Sequence, residues 1–239
     1  METISVCMAT YNGEKYIKSQ IESILSQIPE NSELIISDDG SNDRTLEIIS
    51  AINDRRITVY HSKLKNLIKN FENAITHATG DIIFLTDQDD IWKANKVEKM
   101  LEVLHKGYDV VTCDCSIFNS KGEIVVSSYF EAISSGPGLI RNIIKRNSYM
   151  GCCMAFTAEV KKVSLPFPKH IPMHDLWIGL ISEVKFKPYF LRESLVLYRQ
   201  HERNASSTAS GISENSLFKK MWLRVITLFL LAGRLLKFT

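Results

Sequence analysis

The sequence predicts an α/β domain with a mostly parallel central sheet and helices on both of its faces. Short apolar runs rich in β-branched residues alternate, along the first half of the chain, with longer segments whose apolar residues recur at helical spacing. Repeated βα units of this length form parallel sheets covered by helices. The strand runs also end in polar, acid-rich loops, and open α/β sheets bind their ligands at the carboxyl ends of the strands. We therefore expect a ligand-binding site in the first half of the chain.

Length and composition are those of one globular domain. The chain has 239 residues, 45% hydrophobic and 23% charged, with a formal net charge of +2. From Leu217 onward there are five basic residues and no acidic one, so the remainder is slightly acidic, which argues against nucleic acid as a partner. The five cysteines lie in apolar runs rather than at zinc-site spacings, and the N-terminus shows no signal-peptide pattern. We therefore expect core thiols and a cytoplasmic protein.

The elements of the first half follow in order. We expect strands at 4–9, 33–37, 57–60 and 82–85. A helix follows each of these strands, and the apolar stripes that predict the four helices are Ile17, Ile21, Ile24, Leu25 and Ile28, then Leu46, Ile49 and Ile52, then Leu67, Phe71, Ala74, Ile75 and Ala78, then Val97, Met100, Leu101 and Leu104.

Two early loops carry side chains that suit a nucleotide. Residues 10–12 follow the first strand, and the acidic segment 38–43 follows the second. A carboxylate after the second strand of nucleotide-binding α/β folds bonds the ribose. Both loops are also composed of good turn and helix-cap residues, so a purely structural role remains open.

The loop after the fourth strand places Asp87, Asp89 and Asp90 within four residues. Three such charges repel one another unless a cation joins them, and Mg²⁺ and Mn²⁺ take carboxylate and phosphate oxygens as ligands. The alternative is a solvated turn in which Asp90 caps the helix that follows.

The second half is less regular. We expect strands at 109–113 and 116–118, a hairpin strand at 123–126, a short helix at 138–146 and a buried strand at 151–156. The short helix carries Arg141, Lys145 and Arg146, a basic patch that either faces water or meets an acceptor diphosphate.

Three motifs together resemble the family 2 glycosyltransferases of the GT-A fold, over about residues 3–205. They are Ala9-Thr10-Tyr11-Asn12-Gly13, the segment from Ser37 to Asp43, and the segment from Thr86 to Trp92. The resemblance implies an inverting enzyme that uses a nucleotide-diphosphate sugar and Mn²⁺ or Mg²⁺. The residues it implies at the base and ribose are Thr10, Tyr11, Glu14 and Asp39. Those it implies for the Asp-X-Asp pair at ribose, metal and diphosphate are Asp87 and Asp89, with Asp90 as an alternative to one of them.

Two further segments extend the resemblance. Met173-His174-Asp175-Leu176-Trp177 opens a predicted helix, and the matching family position supplies the catalytic base, which implies Asp175; a helix cap is the alternative. The segment from Tyr198 to Asn204 resembles a rhamnosyltransferase-like subgroup of bacterial surface-polysaccharide enzymes, which implies that His201 completes the metal or diphosphate site. We expect Arg141 and Trp177 to contact the acceptor.

The expected domain organisation is a glycosyltransferase domain at 1–205, with a donor-binding half at 1–110 and an acceptor-binding half at 111–205. A Ser-rich linker at 206–216 leads to a basic amphipathic tail at 217–239. No uncharged apolar stretch of the tail is long enough to span a bilayer. The tail suits binding to the anionic surface on the inner face of the plasma membrane. The alternative is a terminal helix that packs on the body.

The predicted activity is transfer of a sugar, from UDP-hexose or dTDP-rhamnose, to a glycan or lipid-diphosphate acceptor in O-antigen or capsule synthesis. A nucleotidyltransferase that acts on sugar phosphates shares the sheet, metal and nucleotide, but it would release pyrophosphate. A sugar- or nucleotide-binding module without catalysis is the other alternative.

Overall fold

The computed structural model describes residues 2–144, 146–201 and 217–237, the last segment with backbone alone at 217–220. Its strands are β1 (Ile4–Thr10), β2 (Glu33–Asp38), β3 (Ile57–His61), β4 (Ile82–Asp87), β5 (Ile91–Trp92), β6 (Val110–Phe118), β7 (Ile124–Val126), β8 (Met154–Thr157) and β9 (Pro188–Arg199). Its helices are α1 (Ile17–Leu25), α2 (Thr45–Ile52), α3 (Leu67–His77), α4 (Lys96–Leu104), α5 (Tyr129–Ile133), α6 (Leu139–Ile144), α7 (Ala158–Ser164), α8 (His174–Lys185) and α9 (Leu217–Leu235).

The strands form one sheet in the order β3-β2-β1-β4-β8-β6-β9-β5, with β7 paired to β6. The first four strands in this order are parallel, as the βα repeats predict. The second half is mixed, because β8 runs antiparallel to both β4 and β6, whereas β6 and β9 are parallel. The α/β class is confirmed, and the parallel character predicted for the whole sheet belongs mainly to its first half.

Helices cover both faces of the sheet, as predicted. One buried apolar cluster contains residues of α1, α2, α4 and α5, and a second contains residues of α3, α7, α8 and α9. The strands between them are buried on both sides; every residue of β1 and β6 is buried. This continuous burial is why these strands are near-uniform apolar runs in the sequence.

The C-terminal helix exists and packs on the body along one side. Thr227 and Leu231 are buried, and the Arg234 guanidinium donates hydrogen bonds to the carbonyl oxygens of Leu165, at 2.6 Å, and of Pro166, at the end of α7. Within the described residues, no helix is both long and apolar enough to cross a bilayer. The predicted linker at 206–216 lies outside the described residues.

Candidate active site

Strand register brings three predicted loops to one edge of the sheet. Thr10 pairs with Asp38 across β1 and β2, and Ala9 pairs with Asp87 across β1 and β4. Because these strands are parallel and end together, the loops that follow them are neighbours. The carboxyl edge of the parallel half is therefore where the acidic side chains converge, which agrees with the ligand position in open α/β sheets.

Gln88 connects two of these loops, a role that no sequence motif indicates. Its Oε1 accepts a hydrogen bond from the Thr10 hydroxyl, at 2.5 Å, and one from the Tyr11 N–H, at 3.0 Å, while its Nε2 donates to the Tyr11 carbonyl at 3.1 Å. Thr10 is buried, and the Tyr11 side chain is 45% exposed. Tyr11 is therefore placed on a fixed backbone with its ring free to meet a ligand.

Glu14 lies farther out in the same loop. It is exposed, and its Oε2 accepts a hydrogen bond from the Arg44 N–H at 3.2 Å, at the start of α2. This hydrogen bond joins the loops after β1 and β2. Because Glu14 is exposed, it lies at the outer border of the carboxyl edge of the sheet.

Asp39 holds the loop between β3 and α3. Its Oδ1 accepts from the Ser62 hydroxyl and from the N–H groups of Leu64 and Lys65, and its Oδ2 accepts from the Asn66 N–H at 2.7 Å. Four hydrogen bonds to one buried carboxylate fix that loop. The contact to a base or ribose implied for Asp39 stays a prediction, and a ligand there would share an oxygen that already accepts other bonds.

Asp87 and Asp90 form an acidic pair, in which Asp90 is fully buried and Asp87 is half-buried. Oxygens of both carboxyls and the Sγ of Cys152 lie within 4.8 Å of one another. Asp90 Oδ1 accepts the Arg199 N–H at 3.0 Å, whereas Asp90 Oδ2 is buried with no hydrogen-bond partner among the described residues. Burial and the neighbouring charge of Asp89 raise the pKa of Asp90 to about 7. Burial and the charges of Asp90 and Asp89 also raise the pKa of Asp87 well above its usual range.

The alternative that Asp90 caps α4 is excluded by its position. Asp90 is fully buried, β5 lies between it and α4, and the residue at the N-cap position is Asn95. The acidic loop is therefore not a solvated turn.

Asp89 and His201 are in contact, and the role of His201 in a metal or diphosphate site stays a prediction. The His201 Nε2 lies 2.7 Å from Asp89 Oδ2, and the imidazole stacks on Tyr16 with ring centroids 5.2 Å apart. Arg199 supports the same loop, since its Nε donates to the Asp89 carbonyl at 2.8 Å. His201 is only 15% exposed in its side chain and is not a free surface histidine.

Lys96 is a second residue that the sequence did not identify. It is fully buried, its Nζ donates to the Cys152 carbonyl at 2.7 Å and lies 4.0 Å from the centroid of the Trp92 ring. Its charge lowers the pKa of both Asp87 and Asp90, against the larger effect of burial. Lys96 is therefore a fixed positive charge behind the acidic pair.

The donor set fits a hard divalent cation. Two close carboxylates, one of them with an unpaired buried oxygen, would be neutralised by such an ion. The charge of Asp89, which contacts His201, acts on both carboxylates. Cys152 is a soft thiol. Its hydrogen bond with Cys153 lowers its pKa, but burial and the charges of Asp90 and Asp87 raise this pKa well above its usual range. It would therefore be protonated and a poor ligand at neutral pH.

Asp175 lies in the first turn of α8 and accepts three hydrogen bonds. They come from the Leu176 N–H at 2.5 Å, the Gly151 N–H at 3.2 Å and the Asn147 Nδ2 at 3.3 Å. Burial raises its pKa to about 6 in spite of these bonds, and its charge in turn raises the pKa of Asp87. The N-cap residue of α8 is Met173, so Asp175 is not the cap that the alternative required.

Gly151 allows the backbone to reach Asp175. A Cβ at residue 151 would lie 2.8 Å from Nε2 of His174, closer than real contacts allow. His174 itself is buried, stacks on Phe71 at 3.9 Å between centroids, and has no hydrogen-bond partner on either ring nitrogen among the described residues. Burial lowers its pKa to about 3, so it stays neutral.

Of the two residues expected at the acceptor, Trp177 is buried in the core. Trp177 is fully buried and its indole N–H donates to the Ser164 carbonyl at 3.0 Å, so this side chain fills the core and cannot contact an acceptor. Arg141 lies on α6, and its guanidinium is next to Gly136. Its predicted contact with an acceptor diphosphate stays a prediction.

Comparisons with known proteins agree with this geometry. Residues 5–163 match the family described as glycosyl transferase family 2. The Escherichia coli protein WfaP, a UDP-Glc:alpha-D-GlcNAc-diphosphoundecaprenol beta-1,3-glucosyltransferase, is 28% identical over 96% of this chain and 92% of its own length. The dTDP-rhamnosyl transferase RfbG of Shigella flexneri is 27% identical over 90% of this chain and 78% of its own.

A solved structure shares the fold. TarS 1-349 of S. aureus, in complex with UDP-GlcNAc, superposes with a TM-score of 0.69 at 19% identity over 95% of this chain. This chain spans 66% of the solved TarS chain.

Proposed function

The chain belongs to glycosyl transferase family 2, and on that premise we propose that it is an inverting, metal-dependent enzyme. It moves a sugar from a nucleotide-diphosphate sugar to a hydroxyl group of an acceptor. One observation carries the proposal: Asp175 lies close enough to the acidic loop for its charge to raise the pKa of Asp87, yet the two have different surroundings. Such an arrangement suits a site in which the carboxylates of the acidic loop hold a cation and a separate carboxylate, Asp175, accepts a proton.

Asp175 is the proposed base. A general base works best when its pKa lies near the working pH, and the pKa of about 6 raised by burial is close to this range. Three hydrogen bonds orient the carboxylate, so it takes the proton from the acceptor hydroxyl as that oxygen attacks the anomeric carbon. Attack on the face opposite the leaving diphosphate inverts the configuration.

The acidic pair and its neighbours are the proposed cation ligands. Asp87, Asp89, Asp90 and His201 would hold Mn²⁺ or Mg²⁺. When bound, the ion neutralises negative charge on the leaving diphosphate. The four residues themselves keep the acidic loop in place, through the bonds of Asp90 to Arg199 and of Asp89 to His201.

The donor half is proposed to be 1–110 and the acceptor half 111–205. In the donor half, Thr10, Tyr11, Glu14 and Asp39 are proposed at the base and ribose. The exposed ring of Tyr11, on a backbone fixed by Gln88, supports stacking on a base. UDP-hexose and dTDP-rhamnose are the proposed donors, since relatives named for both nucleotides align along most of this chain.

The proposed acceptor is a lipid-diphosphate-linked sugar in bacterial surface polysaccharide synthesis, the class named for WfaP. This acceptor lies in a membrane. Peripheral contact with the inner face of the plasma membrane, through the basic and apolar segment 217–239, is part of the same proposal.

The experiment is a donor screen with purified protein. UDP-hexoses and dTDP-rhamnose are offered with Mn²⁺ or Mg²⁺ and a synthetic lipid-diphosphate-linked sugar, and the released nucleoside diphosphate is measured. We expect release with one donor and its loss in Asp87→Asn. Asp81→Asn is the matched control, because Asp81 precedes the same strand at its other end, where it bonds Thr3. Equal loss in both variants, or no release with any donor, would contradict the proposal.

A further inference from the structure

The outer side of α9 is apolar, although it faces away from the body. The inner side is buried at Thr227 and Leu231 and anchored at Arg234. The large apolar residues exposed on α9 are Met221 (62%), Trp222 (49%), Val225 (53%), Leu228 (46%), Phe229 (75%) and Leu236 (80%). A helix that packs on a protein by one face normally carries polar residues on the other. The outer face of α9 therefore lacks the polar character of a helix surface that meets only water.

The helix α6 extends the same apolar surface. Ile140 and Ile144 are 73% and 54% exposed and lie four residues apart, so they share one face of α6. Arg224 of α9 donates a hydrogen bond to the Ile144 carbonyl, which holds the first half of α9 beside the end of α6. Scattered single apolar residues on a surface are ordinary, but two adjacent helices with such residues are not.

We propose that α6 and α9 together form one platform that lies on an anionic lipid bilayer. The charges around the platform select this occupant. The segment 217–239 has Lys219, Lys220, Arg224, Arg234 and Lys237 and no acidic residue, and Arg146 is exposed just after α6. Basic residues beside an apolar face match the charged headgroups and acyl boundary of such a bilayer. A second copy of the chain would meet the same cations and be repelled by them.

Docking by two helices gives the bound enzyme one orientation. The hydrogen bonds of Arg224 and Arg234 to carbonyl oxygens of the body hold α9 in place, and because these acceptors are uncharged, the two guanidinium groups remain positive beside the apolar face. A tail that was merely tethered would leave the domain free to rotate. The platform instead fixes which side of the domain faces the lipid.

That orientation brings the proposed base close to the membrane. Asn147, which donates to Asp175, is three residues after Ile144, so the two Cα atoms are at most about 11 Å apart. An acceptor sugar that is linked to a lipid through a diphosphate stands just above the headgroups. This part of the proposal deepens the proposed function and rests on it, whereas lipid contact by the platform does not.

The first test uses a tryptophan placed on α6. The native Trp92 and Trp177 are buried and Trp222 is exposed, so Trp222→Phe removes the exposed native reporter. In that background we expect Ile144→Trp to be quenched by vesicles of phosphatidylcholine with 30% phosphatidylglycerol that contain brominated acyl chains. Val125→Trp is the control, because Val125 is 50% exposed on β7, away from the platform, and should show no quenching.

The second test measures the strength of binding. We expect Ile140→Ser combined with Ile144→Ser to weaken sedimentation with these vesicles about tenfold, from the lost transfer of two partly buried side chains. Ile124→Ser combined with Val125→Ser should bind like the wild type. An unquenched Ile144→Trp with wild-type binding of the α6 variant would overturn the platform and leave α9 alone in the membrane. Dimerisation in solution that the α6 variant abolishes would assign the surface to a second copy instead.

Measurements of donor hydrolysis and of sugar transfer distinguish a failure of the lipid platform from a failure of the proposed function. The α6 variant should hydrolyse the donor at the wild-type rate and transfer more slowly only to an acceptor embedded in vesicles. A protein with no transferase activity that still shows quenching at residue 144 would retain the platform and refute the proposed function.

Discussion

Asp175→Asn tests the proposed base, because it keeps the shape of the side chain and removes its ability to accept a proton. General base catalysis contributes about 10²–10⁴-fold, so the rate of transfer should fall by that factor. Donor affinity should change little, since the residues proposed at the donor lie in the loops after β1, β2 and β4. In the wild type, kcat/KM should rise with pH through about 6, where the carboxyl ionises, and the variant should lack this rise.

The same substitution changes the dependence of stability on pH. Burial raises the pKa of Asp175 in the folded protein to about 6, above the ordinary 3.8, so folding favours the protonated carboxyl. Relative to the Asn variant, the wild type therefore loses stability as pH rises from about 4 to about 6. At 1.36 kcal/mol per pH unit the loss is about 3 kcal/mol at most, and the partial exposure of Asp175 reduces it to about 1–2 kcal/mol.

Three measurements on one preparation test whether Asp175 is the general base and whether its pKa is raised. Donor titration, the transfer rate across pH, and denaturant unfolding at pH 4 and pH 7 are compared for the wild type and Asp175→Asn. A wild-type rate in the variant would refute the base. Loss of donor affinity together with rate would move Asp175 into the donor site, and a stability difference that is independent of pH would refute the raised pKa.

Two further predictions concern the cation and the packing of α8. EDTA should abolish transfer, and Asp89→Ala should lower it more than about 100-fold at saturating Mn²⁺ while the protein remains folded, as circular dichroism would show; full activity with metal shown to be absent would contradict the site. Gly179→Ala should destabilise the fold by more than about 2 kcal/mol, because its Cβ would lie 2.3 Å from the Tyr149 ring. Gly233→Ala, whose Cβ meets nothing within 4 Å, should instead stabilise α9 by about 0.5–1 kcal/mol. Equal unfolding midpoints for Gly179→Ala and Gly233→Ala would show that the Tyr149 ring does not exclude a Cβ at residue 179.

The parallel half of the sheet was predictable because three of its four strands, β1, β2 and β4, are buried on both faces. Such strands are short apolar runs, and the loops after β1, β2 and β4 follow them directly. The mixed half was not predictable in the same way. The runs at 109–113 and 116–118 form one strand, β6, and nothing in an apolar run states whether its neighbour runs parallel or antiparallel.

The site was predictable where motifs carry it and not where tertiary contacts do. Asp87, Asp89 and Asp175 belong to recognisable segments. Lys96 lies on a helix whose other lysine, Lys99, forms an ordinary surface ion pair with Glu102, and only the fold shows that Lys96 is buried behind the acids. Asn147 lies outside the motifs.

The prediction for Trp177 was wrong, because it assumed that a residue within a motif is exposed to the acceptor, whereas Trp177 is fully buried. It follows Asp175 by two residues, which turns its side chain about 200° around the helix and into the core. The spacing of a helix, applied to α8 from Asp175 onward, would have predicted this burial.

Transfer of a sugar with inversion should release a nucleoside diphosphate. Phosphorus and proton NMR of one reaction, with a nucleotide-diphosphate sugar, Mn²⁺ and a lipid-diphosphate-linked acceptor, identify both products. If the chain catalyses this transfer, we expect a nucleoside diphosphate as the phosphorus product and an anomeric proton of configuration opposite to that of the donor. Pyrophosphate as the product, or a retained anomeric configuration, would contradict it.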